Sequence, residues 1–315
     1  MPPLVEQLEA LLAKLRARHP ELLGLGFGFR RRRGRIVPEQ VVKLQVRRKI
    51  RGKHAGVRLF PKTVALRALV LGQSVVVRVP TDVETPRRMR ATRFAIDGMT
   101  ASALASWNDA SGRKAFGALT AAHGLPFPGP SAPAVAVHLG DGTQTQGVVV
   151  ARTSLEQDGL DVGLVRMDVL PAQIGDAGPR TPAIATADQL LQLLSSSSSD
   201  DVGAPAESWS SATPTRIRGL AFLLEWQWAG VQATMRRIVQ CKASKLGAFR
   251  PGTSGSAWVA TAATGELAMA IQSHGHEPKF QLAEGTHLAT AIEWLAARPG
   301  IADLRVAWRV QDLLA

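Results

Sequence analysis

Apolar residues recur at Leu4, Val5, Leu8, Leu11, Leu12 and Leu15, the spacing of one helical face, with Glu6 and Glu9 interrupting the run. The pattern predicts an amphipathic helix docked on a core. Leu23-Gly-Leu-Gly-Phe-Gly-Phe29 follows, then Arg30–Arg33, Gly34 and Arg35, then the Val- and Leu-rich stretch Glu39–Val46 and the basic run Arg47–Arg51. Two strand-like runs flanking a basic, glycine-containing turn predict a hairpin with arginines at its tip. Ser74–Val79 predicts another strand, closed by Pro80-Thr81-Asp82. Gly24, Gly26 and Gly28 match no phosphate-loop spacing and are read as strand glycines against which something packs closely.

The texture changes from about Arg93. Short apolar runs alternate with turn clusters at Phe94–Met99, Ala115–Ala122, Ala134–Leu139, Gly147–Ala151 and Leu160–Met167. Regular short strands with frequent turns predict an all-β barrel or sandwich. Thr186–Leu194 reads as a helix, and Ser195–Ser199 with Asp200 and Asp201 as a solvated loop. Strands resume at Arg216–Trp228, where Trp226 and Trp228 are read as packing residues. They continue through Ala257–Ala262 and Glu266–Ser273, joined by a Thr264-Gly265 turn. Leu288–Ala297 and Val310–Ala315 read as helices. The expected organisation is a basic α+β domain over 1–91, a β-rich domain over 92–298 and an extension over 299–315.

Charge sharpens that division. The net charge is +13, yet residues 1–95 hold 22 Lys+Arg against 6 Asp+Glu, so the rest of the chain is slightly acidic. Such asymmetry marks the front third as a candidate surface for an acidic partner or a nucleic acid. With 45% hydrophobic and 20% charged residues the composition is that of a globular protein. No apolar run approaches the roughly 18 residues of a bilayer span, and the N-terminus lacks the continuous apolar stretch of a secretory signal. Cys241 is the single cysteine and excludes an internal disulfide. Together these point to a cytoplasmic protein without membrane contact.

Three segments carry candidate chemistry: Ala118-Leu-Thr-Ala-Ala-His123-Gly124, Leu160-Asp161-Val-Gly-Leu164 and Arg250-Pro-Gly252-Thr-Ser254-Gly-Ser256-Ala257. They resemble, in order, the segments around the base, the acid and the nucleophile of the trypsin/chymotrypsin-like serine peptidases, here of the bacterial type. The resemblance covers about residues 93–298. It implies two six-stranded antiparallel β-barrels, preceded here by the small α+β domain. It also implies a catalytic triad of His123, Asp161 and Ser254 that cleaves a protein or peptide substrate without a cofactor. A serine hydroxyl needs an adjacent base to become a nucleophile, and the base needs a third group to orient it. The resemblance places the oxyanion hole at the N–H groups of Gly252 and Ser254, and the specificity pocket at Ala248, Ser273, His274 and Gly275.

Departures from the family pattern are informative. Thr253 replaces an acidic residue that, in secreted relatives, pairs with a newly cleaved N-terminal amine, so activation by such cleavage is not expected here. Ala257 replaces a proline, and Gly124 stands where those relatives carry a disulfide cysteine. Ala248 supplies no carboxylate at the pocket base. An uncharged residue before the scissile bond is therefore expected, with His274 or Lys245 leaving an acidic one open. His274 and His276, with Glu277 beside them, invite a metal reading, but no further ligand set is evident from the sequence and no metal is expected. Two alternatives remain from other classes. One is a catalytically silent binding module on the same fold; the other is a sensor of nucleic acid or an acidic partner with the peptidase domain as effector.

Overall fold

The computed structural model describes residues 2–32, 35–46, 60–70, 73–84, 100–129, 133–138, 143–169, 171–196, 203–209, 213–228, 231–250, 252–276 and 279–314. The first helix, α1 (Leu4–Arg16), buries Val5, Leu8, Leu12 and Leu15, the face its spacing predicts. Glu6 in its first turn and Lys14 and Arg16 in its last complement the helix dipole. Next come β1 (Leu22–Arg32), β2 (Arg35–Val46), β3 (Thr63–Val70) and β4 (Gln73–Glu84). β1 and β2 form the expected antiparallel hairpin. β4 runs past Pro80, where the sequence predicted a stop. It leaves its antiparallel partner β3 at that point and pairs in parallel with β2 through Thr81–Glu84. The missing N–H of Pro80 thus falls where the strand changes partner. β3 is a sheet edge, and the Gln7 side chain of α1 covers part of it by bonding both the N–H and the C=O of Arg67.

A six-stranded antiparallel sheet holds β5 (Ala103–Asn108), β6 (Lys114–Thr120), β7 (Val135–His138), β8 (Gln144–Arg152) and β9 (Gly163–Met167). The short α2 (Leu155–Asp158) precedes β9, and α3 (Pro171–Ile174), β10 (Ala183–Ile184) and α4 (Ala187–Ser196) follow it. The remaining strands are β11 (Ala204–Ser208), β12 (Thr213–Trp228), β13 (Val231–Ala243), β14 (Ala257–Ala262), β15 (Gly265–Gly275) and β16 (Leu282–His287). β11 pairs with both β12 and β14, so these six close a ring of hydrogen-bonded pairs in the order β11-β14-β15-β16-β13-β12. The chain ends with α5 (Leu288–Ala296), β17 (Ala302–Ala307) and α6 (Val310–Leu314). β17 pairs with β5 and supplies the sixth strand of the first sheet, a strand the sequence pattern did not announce.

The N-terminal strands join the ring through β1 and β12. The alternate glycines permit it: a Cβ at Gly24 would lie 2.1 Å from the Leu223 carbonyl oxygen, and one at Gly28 2.5 Å from that of Arg218. One core therefore runs from α1 through Leu25 and Phe27 to Leu220, Trp258 and Met269. A second core joins Trp107, Leu119 and Leu164 of the six-stranded sheet to Ile271, to Leu288 and Leu295 of α5, and to Trp308. The expected boundary near residue 91, the strand expected at Phe94–Met99 and the basic run Arg47–Arg51 lie outside the described residues. Of the arginines at the hairpin tip, Arg30 is ion-paired with Glu39 at 2.6 Å and also donates to the Thr81 carbonyl. Among the described residues no helix is long and apolar enough to cross a membrane.

Candidate active site

His123 lies in the turn after β6. Ala121 and Ala122 before it are fully buried, and the Leu125 N–H donates to the Ala122 carbonyl to close the turn. Asp161 lies just before β9 and is completely buried. Its carboxylate makes two bonds to His123: Oδ1 accepts the backbone N–H at 2.9 Å, and Oδ2 lies 2.8 Å from ring Nδ1. The Asp161 N–H donates to the Thr286 hydroxyl of β16 at 3.0 Å. Burial pushes the Asp161 carboxyl up. The charge of His123 and its two hydrogen bonds outweigh that and hold the carboxyl below its ordinary value. An ionised carboxylate only accepts, so the His123 Nδ1–H donates to Asp161 Oδ2.

Ser254 is buried in the loop between β13 and β14, and its hydroxyl donates to the Ser273 carbonyl of β15 at 2.9 Å. Gly252 and Gly255 flank it with φ of +92° and +89°. At Gly255 a side chain is excluded twice, since a Cβ would also lie 2.0 Å from the Thr100 carbonyl oxygen. The loop N–H groups divide into two sets. Those of Thr253, Gly255 and Ser256 donate to the carbonyls of Arg250, Gln272 and Thr253. Those of Gly252 and Ser254 have no acceptor among the described residues. The Thr253 hydroxyl donates to the Arg250 carbonyl at 2.7 Å and accepts from Gln272 Nε2.

A hydrogen-bonded relay ties the His123 turn to the Ser254 loop. The Thr120 hydroxyl, three residues before His123, donates to the Thr100 carbonyl at 2.8 Å. The Thr100 N–H in turn donates to the Ser254 carbonyl at 2.8 Å, and its hydroxyl to that of Gly252 at 3.1 Å. Sequence reasoning named none of Thr100, Thr120, Gln272 and Thr286 as supports. Their partners lie 19 to 152 residues away; Thr120 fell inside the segment before His123, and nothing local marks the other three.

The expected pocket residues are placed as follows. Ala248 is buried in the turn after β13, and Ser273 and Gly275 lie on β15. A Cβ at Gly275 would lie 2.2 Å from the Phe249 carbonyl oxygen, so these two backbone segments touch. His274 packs edge-on against Trp226 at 4.2 Å and faces Glu284. Trp226 does more than pack, because its indole N–H donates to Glu284 at 2.9 Å. Ser256 is fully buried, with its hydroxyl 3.1 Å from that of Ser208. Cys241 is also buried, which pushes its thiol up to about 12 and leaves it unreactive. Glu277 lies outside the described residues.

The solved structures that resemble the chain include proteases. The Rv3671c protease from M. tuberculosis matches in its inactive form at 16% identity and a TM-score of 0.35, over 61% of this chain and 87% of that one. Its active form matches at 14% identity and a TM-score of 0.39, over 65% and 83%. Protease Anisep from Arthrobacter nicotinovorans matches at 11% identity and a TM-score of 0.26, over 61% and 91%. At such scores the likeness transfers neither family nor activity. No protein-family model and no curated protein matches the sequence.

Proposed function

We propose that the chain is a serine endopeptidase of the trypsin/chymotrypsin-like kind, with Ser254 as nucleophile, His123 as general base and Asp161 as the group that orients it. The observation that carries this reading is the paired contact of the buried Asp161 carboxylate with His123, through the backbone N–H and ring Nδ1, beside a Ser254 loop tied to the His123 turn through Thr100 and Thr120. The closed ring of six strands is read as one barrel and the six-stranded sheet, with β17 added, as the counterpart of the other.

In this reading the Ser254 hydroxyl turns from Ser273 toward His123. Its oxygen attacks the scissile carbonyl carbon as Nε2 takes the proton. The carbonyl electron pair moves onto oxygen, where the N–H groups of Gly252 and Ser254 receive the charge. Collapse breaks the C–N bond, and His123 returns the proton to the leaving amine. Water then repeats the sequence on the acyl-enzyme and releases the acid. Asp161 stays ionised throughout and stabilises the imidazolium.

The same observations favour an uncharged residue before the scissile bond. Ala248 brings no charge, and His274 is engaged with Glu284. Thr253 carries no charge that would call for a cleaved N-terminus, and its hydroxyl is already bonded within the loop. The deciding experiment is a proteome-wide comparison of cleavage sites made by the wild-type chain and by Ser254→Ala. New termini dependent on Ser254 and following uncharged residues are expected. Identical termini from the two proteins would refute peptidase activity, and predominant cleavage after Arg would refute the specificity.

A further inference from the structure

β15 and β16 run antiparallel with His274 directly opposite Glu284. His276 follows two residues later, on the same side of an extended chain. His274 Nε2 lies 3.5 Å from Glu284 Oε2, and His276 Nε2 lies 3.8 Å from Oε1. The donor atoms of all three residues fall within 4.8 Å of one another. Atoms bound to a tetrahedral metal at about 2.1 Å stand about 3.4 Å apart, so side-chain adjustments of about 1 Å would close the set. We propose that His274, His276 and Glu284 form a binding site for a divalent transition metal of the zinc class.

The arrangement has the features such a site needs. Glu284 is buried and faces both histidines. Trp226 Nε1 donates to Oε2 at 2.9 Å and Gln240 Nε2 to Oε1 at 3.0 Å. Those two bonds fix the carboxylate as outer partners do in metal sites, and each oxygen keeps a lone pair for a metal. A cavity of about 30 Å³ beside His276 and Glu284 has room for one water to fill an open coordination position. Lys43, Arg218 and Glu84 also line it. Two imidazoles and a carboxylate select Zn²⁺ or its neighbours over Mg²⁺ and Ca²⁺. The third donor is 8 to 10 residues from the histidines and comes from the next strand, so the His-x-His spacing alone did not reveal it.

The test is Co²⁺ titration of the full-length chain after chelation and dialysis, at neutral pH. One equivalent should bind with visible d–d absorption and no thiolate-to-metal band, and Zn²⁺ should displace it. Zn²⁺ should also raise the thermal midpoint of the wild-type chain. His276→Ala and Glu284→Gln should each weaken binding by more than about 100-fold, and Gln240→Leu by about 10-fold, the effect of losing an outer partner. Melting in chelator confirms that each variant folds. If one does not, X-ray absorption of the Zn²⁺-loaded wild-type chain decides, with two imidazoles and a carboxylate oxygen expected. Three results would overturn the site: no d–d band in the wild-type chain, binding unaffected in folded variants, or a ligand set that includes Cys241. None depends on peptidase activity.

Discussion

The backbone N–H of Asp161 donates to the Thr286 hydroxyl at 3.0 Å. That bond joins the end of the β9 approach in one sheet to β16 in the other, 125 residues away. It fixes the height of the carboxylate that orients His123. Thr286→Val keeps the shape and removes the acceptor, leaving a buried N–H unbonded. A loss of about 1–3 kcal/mol in urea denaturation is expected, with a fall in kcat larger than any change in KM. Unchanged stability and kcat would show that the bond positions nothing.

Asp161→Asn tests the acid itself. An amide can present its N–H₂ to Nδ1 and impose the wrong tautomer on His123. Turnover should drop by about 10⁴-fold while the chain stays folded, measured by single-turnover hydrolysis and circular dichroism. Near-normal turnover would remove Asp161 from the site.

Gly255 occupies a backbone conformation and a space that exclude a side chain. Gly255→Ala should destabilise the protein by more than about 1 kcal/mol from the backbone angle alone, and further through the contact with the Thr100 carbonyl. Gly112 is the control, because its φ is +77° but nothing lies within 4 Å of a Cβ there. Chemical denaturation of the two alanine variants separates strain from contact, and equal losses would contradict the close approach at Gly255.

His287 gives the fold a pH dependence. Burial, with the charge of Arg237 adding to it, pushes the imidazole down to about 4 from 6.5. The folded chain therefore keeps it neutral across a range where the unfolded chain protonates it. Its contribution is complete above about pH 6.5 and shrinks as pH falls toward 4. Between pH 7 and 5 the loss should be about 2 kcal/mol. His287→Asn should flatten urea-derived stability over that interval, and parallel curves for the two proteins would contradict the assignment.

Local pattern made some of this legible in the sequence and distance hid the rest. The face of α1, the β1–β2 hairpin, the Thr264-Gly265 turn and most of the short strands follow from periodicity and turn chemistry. The pairings of β17 with β5 and of β1 with β12 do not, because non-local pairing leaves no mark within a strand. β4 passed its proline because a change of partner tolerates a missing donor. His123, Asp161 and Ser254 were visible as three short segments, and their supports were not. Thr120 stood within the His123 segment, but Thr100 and Thr286 are ordinary threonines until the fold brings a carbonyl or an N–H to each. Glu284 was hidden in the same way, as one acidic residue in a strand until register set it opposite His274.

Ser254 is proposed to be an activated nucleophile in the intact chain. Full-length protein of confirmed mass is treated with a fluorophosphonate probe, and the labelled peptide is identified by mass spectrometry. Stoichiometric labelling is expected at Ser254 alone, abolished in Ser254→Ala, reduced by about 10⁴-fold in rate in His123→Ala, and requiring no cleavage of the chain. Labelling that is absent, that falls on Ser256, or that proceeds at the wild-type rate without His123 would contradict it.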